Sequence, residues 1–237
     1  MSPRFQILRK SLLSGAYQVR GVAVVIDVFR AFTSAAFMSH LGVEQITLVS
    51  QAEEVLQLKE AEGYLAVGEV DGKMPSGFDL GNSPYRILQA GRALFAGRRV
   101  AQRTTAGTRG AVAATHRTNQ VILGSYVMAG AIARYLQRLS SPQAVTLVAM
   151  GDNATQVTPE DERCADYIEH LLMGTPYDHI AALQEIIQHE CAQRFLRRDQ
   201  VHFPPEDPLY CLQRDLCDFV LLAGLEDGRL VARRVEV

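Results

Sequence analysis

The chain predicts an α/β protein, a three-layer α/β/α arrangement on a largely parallel sheet, and three observations carry that prediction. Short β-branched apolar runs recur along it, helical patterns of about 10–15 residues separate them, and Gly or Pro marks many of the junctions. Strands alternating with helices imply crossover connections, which parallel neighbours require. Right-handed crossovers then place helices on both faces of the sheet. At 237 residues the chain fits a single domain spanning 1–237.

The first strand is Val22–Val28 (VAVVIDV), a β-branched run interrupted by Ala23 and Asp27, suited to burial on both faces. The helix that follows (RAFTSAAFMSHLG) carries small and apolar residues at helical spacing and stops at Gly42. Next come strand EQITLVS and the amphipathic helix QAEEVLQLKEAEG, ending at Gly63. Strand YLAVG leads into a loop rich in Gly and Pro, GEVDGKMPSGFDLGNSP (Gly68 to Pro84), and then helix PYRILQAGRALF. The alternation continues with strand RVAQRT, turn TAGT and helix RGAVAATH, then strand QVILG and helix SYVMAGAIARYLQRL. Strand AVTLVAMG and helix PEDERCADYIEHLLM complete it. Residues 177–208 read as a helical insertion closed by the proline-rich break FPPEDP, and 218–235 as a C-terminal hairpin tail turning at Asp227-Gly228.

Composition narrows the function. Hydrophobic residues at 48% and charged residues at 21% are those of a soluble globular protein. A formal net charge of -2 supplies no field for nucleic acid or an anionic membrane, and the basic run Arg194, Arg197 and Arg198 reads as a solvated helix end. Cys164, Cys191, Cys211 and Cys217 form no CxxC pair, so reduced thiols in a cytoplasmic protein are expected. Neither an apolar leader at the N-terminus nor a membrane-length apolar run is present. A homodimer is expected only because it is the commonest assembly.

In open parallel sheets, ligands bind outside the carboxyl ends of the strands. Polar residues collect there: Asp27, Arg30, Thr33 and Ser34 after the first strand, Glu69 after the third, Arg103–Thr108 after the fourth, Ser125 after the fifth, and Asp152, Glu160 and Asp161 after the sixth. The carboxylates Asp27, Glu69 and Glu160 or Asp161 offer hard oxygen ligands suited to magnesium. Arg30, Thr104, Thr105, Gly107, Thr108 and Ser125 offer anion donors, since glycine turns and helix N-termini aim N–H groups at phosphate oxygens. Together they describe a phosphate-ester site.

Each piece also has a structural reading. Asp27 suits a helix cap, TTAGT an ordinary strand-to-helix turn, and Glu160-Asp161 a favourable first turn. Asn82-Ser83-Pro84 is an N-cap with proline at N1. His40, His116, His170, His179, His189 and His202 show no paired spacing, and the P-loop, GxSxG and HExxH fingerprints are absent.

With these motifs assembled, the chain resembles the 2-phosphosulfolactate phosphatase family. The likeness rests on VVIDVFRAFTS, GEVDGKMPSGFDLGNSP, QRTTAGTRG, GSYVMAG and PEDERCADYIEHLL, in order over about residues 20–175. GFDLGNSP is the most specific of them. The resemblance implies an α/β/α fold and magnesium-dependent release of phosphate from 2-phosphosulfolactate, a small phosphorylated substrate that in some organisms belongs to coenzyme M synthesis. It departs at Ala106, where asparagine is common, at Val70 and Asp71 in the glycine loop, and near Met128. These departures bear on which anion is accepted.

The resulting expectation gives Asp27, Arg30 and Glu69 the catalytic roles and magnesium to Asp27, Glu69 and Asp161. Asn82, Ser83, Thr104, Thr105, Gly107, Thr108 and Ser125 would bind substrate. Water attack and an aspartyl-phosphate at Asp27 both remain open, and so do another phosphorylated hydroxy acid and a non-catalytic anion-binding role.

Overall fold

The computed structural model describes residues 6–140 and 144–237. The chain opens with β1 (Gln6–Ser11) and a short α1 (Leu12–Ala16), neither of them distinguished in the sequence pattern. Then follow β2 (Val22–Ile26), α2 (Ala31–His40), β3 (Gln45–Val49), α3 (Ala52–Glu62) and β4 (Leu65–Gly68). After the glycine loop come α4 (Pro84–Phe95), β5 (Arg99–Arg103), α5 (Gly107–Thr115), β6 (Val121–Gly124) and α6 (Ala129–Arg138), the last entered through a 3₁₀ turn at Tyr126–Met128. The final third holds β7 (Ala144–Ala149), α7 (Pro159–Met173), α8 (His179–Gln188), α9 (Glu190–Leu196), α10 (Asp207–Cys211), β8 (Phe219–Glu226) and β9 (Arg229–Glu236). The expected alternation is present, and α4 is interrupted at Gly91, whose φ of 71° no right-handed helix accommodates.

All nine strands join one sheet, in the order β1-β7-β2-β6-β8-β9-β3-β5-β4. Pairing is parallel within β1-β7-β2-β6 and within β3-β5-β4. The hairpin β8-β9 lies between these halves and pairs antiparallel with both. The 218–235 hairpin is therefore no tail but the centre of the sheet. Its turn at Asp227 (φ 49°) and Gly228 (φ 79°) has the two left-handed residues of a tight hairpin. Its unbroken apolar run, Phe219 to Ala223, suits a strand covered on both faces.

Three successive antiparallel pairings make the β3-β5-β4 half run opposite to the β1-β7-β2-β6 half. This corrects the expectation of a single carboxyl rim. In a flat sheet the two sets of carboxyl ends would face opposite edges. Twist of about 20–25° per neighbouring pair accumulates to roughly 100–125° over the five pairings from β2 to β5, so the halves cross instead. Helix α5, leaving β5, packs on β2 and β6 of the other half. Gln102 at the end of β5 donates to the Ala31 carbonyl at the start of α2 (2.9 Å). The carboxyl ends of β2, β4, β5 and β7 thus converge on one place.

The central core is aliphatic, built on β2, β6, β7 and the small residues of α2, α5 and α6. A second, smaller cluster (Val49, Val55, Leu58, Tyr64, Ala66, Phe78 and Ala101) lies beneath α3. Phe78 brings the glycine loop into it. All four cysteines are buried and free.

Candidate active site

The turn after β5 builds the first wall. Thr104 Oγ1 accepts from the Thr108 N–H (3.0 Å) and pairs with the Thr108 hydroxyl (2.9 Å), closing the first turn of α5. That closure aims the Gly107 N–H at Asp27, whose Oδ1 also accepts from the Ala31 N–H (3.1 Å). Glycine is required at 107 for space. A Cβ there would lie 2.7 Å from Asp27 Oδ2, 3.0 Å from Phe32 Cζ and 3.1 Å from Ala31 Cβ.

The glycine loop builds the second wall. Glu69 is buried, its Oε1 accepting from the Thr105 N–H (2.7 Å) and its Oε2 from the Gly72 N–H (2.6 Å) and the Thr105 hydroxyl (3.1 Å). It thereby ties the loop to the TTAGT turn. Beyond a tight turn at Asp71-Gly72 the chain returns alongside β4, with the Gly68 N–H donating to the Leu80 carbonyl (3.0 Å). Asp79 fastens it further, accepting from the Ala66 N–H (2.8 Å) and Lys59 Nζ (2.6 Å). A loop so tied at both ends is a wall, not a linker.

The third wall comes from the segment after α9. Arg30, only 5% exposed, donates from Nη1 to Asp207 Oδ2 (2.9 Å) and the His202 carbonyl (2.9 Å), and from Nη2 to the Gly72 carbonyl (3.3 Å). Its guanidinium carbon lies 5.3 Å and 5.1 Å from the Phe195 and Phe203 ring centroids. Asp207 Oδ1 also accepts from the Ser83 hydroxyl (2.7 Å) and the Tyr85 N–H (3.1 Å). Arg30 and Asp207 staple three distant segments together.

These walls enclose a cavity of about 120 Å³, room for a small molecule. Of the expected residues, Asp27, Arg30, Glu69, Asn82, Thr104 and Thr105 line it. Asn82 Oδ1 accepts from Gln102 Nε2 (3.2 Å). Gly107 sits behind Asp27, and Thr108 supports Thr104. Ser83 lies outside the lining, where its hydroxyl holds Asp207 and accepts from the Arg86 N–H (3.3 Å) as the α4 cap. Ser125 is fully buried with no hydrogen-bond partner for its hydroxyl among the described residues, and it too lies outside the lining.

Asp161 is likewise outside the lining, for a clear reason: its two oxygens accept from the Val28 (2.7 Å) and Gly151 (2.8 Å) N–H groups. It organises the β2 and β7 ends, and the expected Asp27–Glu69–Asp161 ligand set does not converge. Among the described residues, no three His, Cys, Asp or Glu side chains form a metal-sized group.

Burial governs the electrostatics. It pushes Asp27 up to about 7, the negative charges of Glu69 and Glu160 adding to the effect while the Ala31 and Gly107 N–H groups oppose it. Burial also raises Glu160, against the Thr158 hydroxyl bond, and raises Asp161 well above the carboxylate range, with Glu160 and Asp27 reinforcing it. Three buried carboxyls are thus crowded together, Asp27 on the cavity wall and Glu160 and Asp161 outside its lining.

Asp152, placed at the strand ends but given no role, lines the cavity, as do Asn153, Arg194, Phe195 and Phe203, which were not expected there; Asp207, also unexpected, supports it. Arg194 is no solvated helix end, although its neighbour Arg197 is, paired with exposed Glu190 (2.5 Å). The Gly-Asp-Asn run after β7 was a usable signal, being a turn at a carboxyl end. Asp207, inside the proline-rich break, offered none.

A cavity lined by oxygen ligands, with a near-neutral carboxyl on its wall and an α/β/α frame behind it, defines a class: a phosphoric monoester hydrolase. The chain belongs to the 2-phosphosulpholactate phosphatase family, whose model matches residues 7–224. A Bacillus subtilis protein named "Probable 2-phosphosulfolactate phosphatase" is 32% identical over 211 residues, covering 88% of this chain and 89% of its own length. A Synechocystis protein of the same name is 32% identical over 231 residues, covering 89% and 91%. One from Thermus thermophilus is 39% identical over 128 residues, about half of each chain.

Proposed function

We propose that this protein hydrolyses 2-phosphosulfolactate to sulfolactate and phosphate with the aid of magnesium. The observation that carries the reading is Asp27: a buried carboxyl near pKa 7 on the wall of a small, oxygen-lined cavity. A general base is most effective when its pKa lies near the working pH. Glu69 accepts three hydrogen bonds from the loop and turn, where Asp27 accepts from two N–H groups. Asp27 therefore takes the proton of the attacking water, and Glu69 keeps Thr105 and Gly72 in register around the phosphoryl group. The Thr104 and Thr105 turn and Asn82 border the space the phosphoryl oxygens would enter.

The donor set fits magnesium in its usual form, with one or two carboxylates and the remainder from water and substrate. Glu69 would hold it, directly or through water, leaving Asp27 to take the proton of the attacking water. When bound, it polarises the phosphoryl oxygens and neutralises charge on the leaving group.

Phosphate release from 2-phosphosulfolactate tests the whole reading. Wild type turns over with magnesium, Asp27→Asn falls at least 100-fold, and Glu69→Gln at least 10-fold. Undiminished activity in Asp27→Asn would overturn its role as base. Undiminished wild-type activity in chelator would overturn the metal.

A further inference from the structure

The two arginines lining the cavity are held differently. Arg30 is almost wholly enclosed and spends both terminal nitrogens on Asp207 and two carbonyls. Arg194 keeps 23% of its side chain exposed. Its Nε donates to the Cys191 carbonyl (3.2 Å), and its guanidinium carbon lies 5.5 Å from the Phe203 ring centroid, which fixes the plane of the group. Its two terminal nitrogens meet the two oxygens of Asp152, but at 3.5 and 3.3 Å. Charge-assisted pairs close to about 2.7–2.9 Å when nothing holds them apart. This fork is oriented for an acid group and poorly filled by the one it has.

The substrate class proposed above carries more negative charge than its phosphoryl group alone. A phosphosulfolactate bears a carboxylate and a sulfonate beside the ester, and a cavity already bordered by Asp27, Glu69, Asp71 and Asp152 repels both. Selectivity for such an ester requires a cation within the cavity that can exchange its partner. Arg30 cannot do this without leaving Asp207 buried and unpaired. Arg194 can, since Asp152, 31% exposed, regains water when displaced.

We propose that Arg194 is the specificity-determining residue of this site, its guanidinium fork taking the substrate's second acid group in place of Asp152. The inference rests on the phosphatase reading, and it names a residue supplied by the helical insertion. Lysine would serve less well there, being a point charge without a planar fork.

Three esters separate the contributions: 2-phosphosulfolactate, 2-phospholactate, which lacks the sulfonate, and glycerol 2-phosphate, which lacks both acids. In Arg194→Gln, kcat/KM for 2-phosphosulfolactate falls about 10- to 100-fold, the loss expected for a charged hydrogen-bond pair. The fall on glycerol 2-phosphate is several-fold smaller, so the preference between the two collapses. Arg194→Lys, which keeps the charge and most of the stem, recovers part of that preference. The loss on 2-phospholactate assigns the fork to one acid: a large loss to the carboxylate, a small one to the sulfonate. An equal loss on all three esters in Arg194→Gln would overturn the proposal, because Arg194 would then serve the phosphoryl group or the fold. If wild type releases phosphate from none of them, the phosphatase reading fails by itself. Thermal stabilisation by sulfolactate then decides: stabilisation of wild type alone supports the role of Arg194, and no difference between the two proteins overturns it.

Discussion

Replacing Asp207 with alanine removes a buried carboxylate that holds three partners. Asp207 is fully buried and holds Arg30 Nη1 (2.9 Å), the Ser83 hydroxyl (2.7 Å) and the Tyr85 N–H (3.1 Å). Its loss leaves a guanidinium that is only 5% exposed without its counter-charge. Breaking a buried pair by removing one partner costs about 3–5 kcal/mol. For a chain of this size each kcal/mol moves Tm by about 2–4 °C, so Asp207→Ala should melt roughly 6–20 °C below wild type. Urea titration should place the loss in the midpoint with an unchanged slope. Adding Arg30→Met removes the orphaned charge, so the double variant should be more stable than Asp207→Ala alone. Glu226→Ala, which breaks the exposed Arg233 pair (2.8 Å), serves as control and should change stability by less than about 1 kcal/mol. A Tm within 2 °C of wild type for Asp207→Ala, or strictly additive losses in the double variant, would refute the staple.

The buried carboxyls give stability a pH dependence of definite sign. Burial raises Asp27, Glu160 and Asp161 above their unfolded values, so the folded state holds protons that the unfolded state has released. Their contribution is complete below about pH 4 and is lost as pH rises through the folded values, about 7 for Asp27. Metal-free protein should therefore melt higher near pH 5.5 than near pH 8, and magnesium should raise the pH 8 value more. A melting temperature independent of both would remove the electrostatic argument for the metal. Gly107→Ala should cut turnover at least 10-fold while costing about 1–3 kcal/mol of stability, because its Cβ would press on Asp27 Oδ2 at 2.7 Å. Wild-type kinetics in that variant would show that Asp27 tolerates displacement.

The local grammar of the chain carried much of the site. Asp27, Glu69 and the TTAGT turn were legible because each follows a buried strand and precedes a helix or loop, a relation contained within a dozen residues. Chain-local chemistry also identified the Ser83 cap, the Gly63 stop and the Asp227-Gly228 turn. Ser125 and Asp161 occupy the same kind of position yet lie outside the cavity lining. Which way a residue at a strand end points depends on the neighbouring strands, and no local pattern states that.

Legible in the chain alone are most of the elements and their order, β1 and α1 excepted: short buried strands, crossover helices, and polar turns at strand ends. Hydrophobic period, caps and turn residues act between near neighbours, so they can be read without a fold. The tertiary structure alone decided that the final hairpin would divide the sheet, that its two halves would cross, and that their carboxyl ends would meet. It alone brought Arg194, Phe203 and Asp207 to a cavity whose wall includes Asp27, some 170 residues earlier in the chain. The physical reason is that strand pairing and burial of charge are choices among distant partners. They are settled by the twist of the sheet and the need to leave no buried charge alone.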